Sequence, residues 1–513
     1  MTTRLGMMLG AAALALAASA GAADAFCGFY VSGSGAKLAA DATQVVLMRQ
    51  GTRTVLSMQN DYKGPLEDFA MVIPVPVVLK EADVKTLPKY VFDHVESLGS
   101  PRLVEYWEQD PCPSPREYDG DDMAAESAGM AAPRSKSADM AMDKKQTVKI
   151  EAQFDVAEYK ILILSATEAA GLETWLKQNK YKIPDGAEPL LRPYVEAGMK
   201  FFVAKVDPKK VQMVDNHAQL SPIRFHYDSE DFSLPIRLGM ANSSGKQDLI
   251  VNILSADRRY EVANYKNVVI PTNSDVKDSV KTRFAEFYAA LFDKTIEANP
   301  GAVVTEYAWT ARPQYHCDPC PELDVNQADL MTLGGDIVQG QIAQGAFVLT
   351  RLHARYGKSD MKDDLRFKDA KPITGGREQW TKQGLEYGAS PSTENYFQAR
   401  YAMRHWWTGA IKCKNPQRGV WGGPPNGGAQ PTIAASKLAF APRGKLEVAS
   451  MVKRDLWEIG LKKVKSGARP PAPAPDGAKF AQPPGTKAMG FGFGASAGLM
   501  FIALFLLISR RKK

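Results

Sequence analysis

Two β-rich apolar runs flank Gln50-Gly51 in "TQVVLMRQGTRTVLSMQ", and that pattern predicts a hairpin. "EDFAMVIPVPVVL" predicts a further strand, ended or edged by Pro74 and Pro76, which have no N–H to give to a ladder. "MKFFVAKV", "QDLIVNIL" and "GAFVLTRL" predict three more. Helical spacing is rarer. "EYKILILSATEAAGLETWLKQNKYKIP" reads as a strand entering a helix, with Ser165 and Glu168 at capping-box spacing to satisfy its first amides. The clearest helix is "SDVKDSVKTRFAEFYAALFDKTIEAN", where Val280, Phe284, Phe287 and Leu291 share one stripe. Strands and helices do not alternate regularly, and no repeat is visible. The pattern predicts an α+β body, mixed and strand-rich with several helices.

The two ends depart from this pattern. Residues 1–25 carry Arg4, a Leu/Ala-rich stretch and a small-x-small ending at Ala23-Asp24-Ala25, which predicts a signal peptide cleaved between Ala25 and Phe26. Lipid attachment at Cys27 calls for a small residue before it, and Phe26 is large, so ordinary cleavage is expected. At the other end, Ala488 to Ile508 is uncharged, and a helix of that length rises roughly 30 Å, a bilayer's hydrocarbon thickness. Arg510, Arg511, Lys512 and Lys513 follow, and basic clusters stay on the cytoplasmic side. The expectation is a body at 26–467 outside the cytoplasm of a bacterial cell, a transmembrane helix at 488–509 and a basic tail at 510–513. Within that frame, the Ala/Ser/Asp/Met-rich stretch 113–147 predicts a disordered insertion, and the proline-rich 468–487 a stalk.

Charge narrows the partners. The chain carries +7, the signal peptide contributes nothing net, and removing the four tail cations leaves +3. A near-neutral body argues against a nucleic-acid partner, which calls for a basic face.

Several blocks together resemble a known family: "FCGFYV", "RTVLSMQNDYKGPLEDFAMVIPVPVVL", "PRLVEYWEQDPC", "AEYKILILSATEAAGLETWLKQNKYKIP", "RPYVEAGMKFFVAKV", "LPIRLGM" and "CDPC". In this order they are similar to the bacterial family called domain of unknown function 2330, from about Phe26 to the region of Cys413. The resemblance implies an exported protein, often with a C-terminal span. It implies no activity and transfers no catalytic residue.

Cys27, Cys112, Cys317, Cys320 and Cys413 are disulfide candidates, since exported cysteines pair, and the odd count leaves one over. Connectivity stays open. "HCDPC" also invites a redox pair or, with His316, half a zinc site, but no second Cys-x-x-Cys exists and Pro319 and Pro321 argue for a loop. Structural bridges are the expectation. Gly494, Ser496 and Gly498 match the nucleophile-elbow pattern inside the apolar tail, where it has no strand before it and no water. Gly490, Gly494 and Gly498 instead suit close approach of two membrane helices, hence self-association. "PPGTK" (483–487) departs from a wall-sorting motif at Pro483 and Lys487.

Met123, Met130, Met140 and Met142 lack the short regular spacing of copper motifs. His217 and His226, with Asp215 and Asp228, match no metal pattern. "NYFQARYAMRHWWTGAIKC" gathers Tyr396, Phe397, Tyr401, Trp406 and Trp407 beside Arg400 and Arg404. It reads first as core and second as a glycan-facing patch. No catalytic residue, cofactor or metal ligand is assigned. The expected role is binding, envelope structure or assembly, with a membrane contact through the C-terminal helix and a glycan or protein partner in the envelope. The alternative is an envelope hydrolase of unrecognised type.

Overall fold

The computed structural model describes residues 29–31, 39–63, 70–112, 147–179, 181, 187–214, 217–241, 246–313, 317–321, 323–357, 360–378, 380–381, 384–427, 431–434, 443 and 446–464. The signal peptide with Ala25 and Phe26, Cys27, His316, the insertion up to 146, the stalk, the 488–509 span with its glycines, and the basic tail lie outside these residues. Among the described residues, no helix is long and apolar enough to cross a membrane.

Among the described residues, the strands of the chain up to residue 206 are β1 (Phe29–Val31), β2 (Ala39–Gln50), β3 (Arg53–Lys63), β4 (Ala70–Val75), β5 (Val84–Thr86), β6 (Arg102–Glu108), β7 (Val148–Val156), β8 (Tyr159–Ala166) and β9 (Lys200–Val206). The helices that matter here are α1 (Tyr90–Gly99), α2 (Ala169–Gln178), α3 (Glu188–Glu196) and α4 (Phe284–Ala298). The body is mixed and strand-rich with several helices, an α+β fold.

An eleven-stranded sheet is its centre. Its middle runs Tyr396–Gln398, Val303–Ala311, Phe347–Tyr356, Gln247–Ser255, β2, β3 and Ile223–Asp228, with β5 at one edge. Strand β2 pairs parallel with Gln247–Ser255 and antiparallel with β3. The β2–β3 turn is the hairpin expected from the sequence: Gln50 faces Arg53, and Gly51 takes the left-handed φ of +57° that a tight turn needs.

Both faces of this sheet are covered, which is why its strands read as continuous apolar runs. Val45 and Leu47 of β2 enter one core while Val46 and Met48 enter the other. On the first face lies the antiparallel sheet β1-β4-β9-β8-β7, whose Ile73, Ile161, Ile163 and Phe202 meet Leu56, Leu249 and Val251. Helices α2 and α3 close its far side with Leu172, Leu176 and Leu191. On the second face of the central sheet sit α1 and α4. Each fully buried aliphatic side chain in these layers contributes about 1.5–3 kcal/mol. A third sheet, built on the parallel pair β6 and Arg400–His405 and extended by Trp421–Gly422, flanks α4.

Local details refine the expected elements. Pro74 lies inside β4, opposite Phe201 of β9 and beyond the Ala70–Val72 segment that β1 pairs, so the strand runs through the proline instead of ending at it. The capping box at α2 is not formed. Glu168 is the N-cap and its side chain makes no capping bond, while the Ser165 hydroxyl donates to Glu151 at 2.6 Å across the β7–β8 pair. A sheet partner outcompetes the cap because Ser165 is still in the strand. Helix α4 starts at Phe284, later than the stripe suggests, and Val280 sits in a preceding 3-10 turn.

Candidate functional site

Two polar constructions stand out, one exposed and one buried. The exposed one follows from strand register. Because β6 and Arg400–His405 run parallel, their C-terminal ends meet: Trp107 lies opposite His405, and Trp421 opposite Glu108. The His405 ring stacks on Trp107 at 4.8 Å, and Trp406 meets Trp421 edge-on at 4.9 Å. Trp406 is 42% exposed, and the Arg418 guanidinium lies 5.9 Å from its ring centre.

Glu108 organises this ledge. Its buried carboxylate accepts from Arg418 Nε and Nη2 at 2.7 Å each, from Gly419 N at 2.8 Å and from Trp407 N at 2.9 Å. Burial alone would raise this carboxyl, but the Arg418 bond and the two backbone bonds hold it below the usual range. His405 Nε2 lies 3.1 Å from Glu105, which also pairs with Lys281 at 2.5 Å. The 405–421 loop is closed beneath by the Cys112–Cys413 disulfide, with Cα atoms 5.6 Å apart.

The aromatic stretch of the sequence is therefore split. Phe397 and Tyr401 are core, whereas Trp406 is at the surface. Arg400 is buried against Tyr106 Oη (2.6 Å) and the Gly376 carbonyl, and Arg404 pairs with Asp275 and Glu378 beneath the ledge.

The buried construction crosses the central sheet. His353 is enclosed, with Nδ1 2.7 Å from Glu306 Oε1, Nε2 3.0 Å from Asp248 Oδ1, and its ring stacked at 3.8 Å on Phe292 of α4. An ionised carboxylate only accepts, so a carboxylate at each nitrogen requires both to donate, and the ring is an imidazolium. Burial would lower its pKa, but Glu306 and Asp248 raise it above the ordinary value. Arg351 donates to Glu306 at 2.7 Å and spans to both oxygens of Glu96 on α1, at 2.5 and 3.0 Å. Tyr288 of α4 gives its hydroxyl to Glu306 at 2.7 Å. Asp248 is completed by Arg355 (2.6 Å) and Arg443 (2.9 Å), and Arg443 also reaches Asp293.

Four carboxylates thus face three guanidiniums and one imidazolium, a neutral array. Its Asp293–Arg355 end borders a cleft of about 290 Å³ that is also lined by Lys246, Glu297 and Asp360. None of this array was legible as a site, although one signal was present. Asp248, Glu306, Arg351 and His353 interrupt otherwise apolar strand runs, and a charge in a strand covered on both faces needs a partner.

The remaining sequence candidates separate. His226 Nε2 is 3.4 Å from Asp83, while Asp228 takes a two-pronged pair from Arg53 at 2.7 Å. His217 lies on a separate short strand, and Asp215 is outside the described residues. The structure joins Cys317 to Cys320 and Cys112 to Cys413. The methionine-rich segment, the Gly494-Ser496-Gly498 match and "PPGTK" are outside the described residues. Among the described residues, His94, His226, His353 and His405 each have a ring nitrogen close to a carboxylate oxygen.

No curated protein and no solved structure matches the chain. A family model described as "Uncharacterized protein conserved in bacteria (DUF2330)" matches residues 21–368, well over half the chain. The match ends within the strand Leu365–Ala370, so Trp406, Trp421 and Cys413 lie beyond it, whereas Cys317, Cys320 and the Glu306–Arg351–His353 array lie inside. By that match, the chain belongs to the bacterial family known as domain of unknown function 2330.

Proposed function

We propose that this is an exported binding protein of the bacterial envelope. Its body is held outside the cytoplasm by the apolar run at 488–509, and it takes glycan or peptide on the Trp406 ledge. The supporting observation is the ledge itself: an exposed indole, backed by Trp421, Trp107 and His405, on a loop tied down by Glu108 and Cys112–Cys413. A flat aromatic face held rigid stacks on the apolar face of a sugar ring at little entropic cost. Close packing of Gly490, Gly494 and Gly498 would pair two anchors and present two ledges to one polymer.

The ledge reading is tested by co-sedimentation of the purified protein with isolated peptidoglycan. Trp406→Ala is expected to weaken binding about tenfold, close to 1.4 kcal/mol, with an unchanged melting temperature, because Trp406 is an exposed side chain. Unchanged binding would remove the ledge from the proposal.

The topology is tested separately. Protease added to intact spheroplasts should digest the body and spare an epitope placed after Lys513. A protected body would reverse the orientation.

A further inference from the structure

The Cys317–Cys320 pair differs from Cys112–Cys413 in the properties that govern exchange chemistry. Cys317 is buried in the core beneath α1, whereas Cys320 is exposed. A ring closed across three residues removes far less unfolded-chain entropy than one closed across 301. The loop also has anchors other than sulfur. Arg102, 1% exposed, donates to the Pro319 carbonyl at 2.5 Å and to the Ser97 and Leu98 carbonyls at 3.1 and 2.5 Å. The Gln398 carboxamide, turned so that its oxygen faces Arg102, donates to the Asp318 carbonyl at 3.1 Å. These bonds hold the backbone whether the sulfurs are joined or not. A carboxylate oxygen of Asp324 lies 3.7 Å from Cys317 Sγ, within reach of the proton that sulfur carries once the bond is open.

We propose that Cys317 and Cys320 are a reversible dithiol–disulfide pair that exchanges electrons with protein dithiols, with Cys320 as the sulfur attacked and Asp324 as the proton acceptor for Cys317. A partner thiolate attacks Cys320 Sγ, forming an intermolecular disulfide and breaking the Cys317–Cys320 bond. Cys317 leaves as a thiolate and takes a proton from water. The partner's second thiol then attacks its own sulfur in the mixed disulfide and releases Cys320, which is protonated in turn. One disulfide is reduced to two thiols here, and two thiols are oxidised to one disulfide in the partner. In the return direction the Asp324 carboxylate accepts the Cys317 proton as that sulfur attacks the mixed disulfide. The negative charge of Asp324 disfavours a standing thiolate at Cys317, so the buried sulfur reacts only when a mixed disulfide is in place. The pair lies away from the ledge and does not depend on glycan binding.

The test equilibrates the oxidised protein in glutathione buffers of graded thiol-to-disulfide ratio, followed by alkylation and peptide mapping. Cys317–Cys320 should open at a ratio at least tenfold milder than Cys112–Cys413, with the protein still folded and a smaller fall in melting temperature than opening Cys112–Cys413 causes. Cys317→Ser should accumulate glutathione on Cys320, while Cys320→Ser should leave the buried Cys317 unmodified. Asp324→Asn should alter the pH profile of reoxidation at this pair and leave exchange at Cys112–Cys413 unchanged. Opening of both bridges together, opening only in denaturant, or equal capture of glutathione by both variants would overturn the proposal. Stoichiometric zinc uptake by the reduced pair from zinc alone would also overturn it, since the site would then be metal-binding.

Discussion

Replacing Glu306 with alanine is expected to cost the fold about 3–5 kcal/mol, because it strips one partner from a buried charge array. Glu306 is fully buried and serves three groups at once: Arg351, His353 and the Tyr288 hydroxyl. Its removal leaves a guanidinium and an imidazolium with one carboxylate each, in a site that water does not reach. The comparison variant is Arg53→Ala, which breaks a pair of similar geometry whose side chains are 39% and 55% exposed. Solvent screens that pair, so its loss should cost under about 1 kcal/mol. Urea unfolding at constant m decides the matter. Similar midpoints for the two variants would mean that the array contributes no more than a surface pair.

The same array predicts the pH dependence of stability. Burial would raise the Glu306 carboxyl, but His353 and Arg351 hold it down at about 2, against an ordinary 4.5. A depressed carboxylate contributes its full stabilisation above 4.5 and loses it as the pH falls toward 2. His353 has the opposite sign. Its raised pKa contributes fully below 6.5 and is lost as the pH climbs through the folded value. Asp248, facing the same imidazolium, has the sign of Glu306: burial would raise its carboxyl, but His353 and the Arg443 and Arg355 guanidiniums hold it below the ordinary value. Melting temperature should therefore be highest between about 4.5 and 6.5. Glu306→Gln should flatten the acid flank, and a flank of unchanged steepness would place the acid-sensitive carboxylate elsewhere.

Removing the Cys112–Cys413 bridge is the second large effect. In the chain-entropy account, a bridge spanning 301 residues constrains the unfolded chain by roughly 5–6 kcal/mol, and one spanning three residues by about 2 kcal/mol. The native geometry adds to the difference. Cys112–Cys413 ties the ledge loop to the end of β6, next to the Gln417 N–H bonded to the Pro111 carbonyl at 2.8 Å. The doubly substituted Cys112→Ser/Cys413→Ser protein should therefore lose several kcal/mol more than Cys317→Ser/Cys320→Ser, measured by denaturant unfolding under non-reducing conditions. Equal losses would show that the short loop carries tertiary strain relief that its ring size does not suggest.

Much of the fold was legible from local pattern alone. Strand runs such as "QDLIVNIL" and "GAFVLTRL", the β2–β3 turn at Gly51 and the phenylalanine stripe of α4 are set by side-chain spacing over a few residues. The blocks that identify the family lie on the same local scale. Spacing did not reveal which distant charges share a face. Glu96 and Arg351 are 255 residues apart, and Cys112 and Cys413 are 301 apart. Their meeting depends on sheet order and register, which no local window contains. The capping expectation at Ser165 failed for a related reason: Glu151, brought alongside by the β7–β8 register, was a better partner than the helix amides. Likewise the aromatic stretch at 396–407 has one composition and two fates. Phe397 and Tyr401 lie where α4 covers them, and Trp406 lies past the strand's end, at the surface and edge-on to Trp421. Local chemistry sets what each segment can form, and long-range packing selects which polar groups lose water and must find each other.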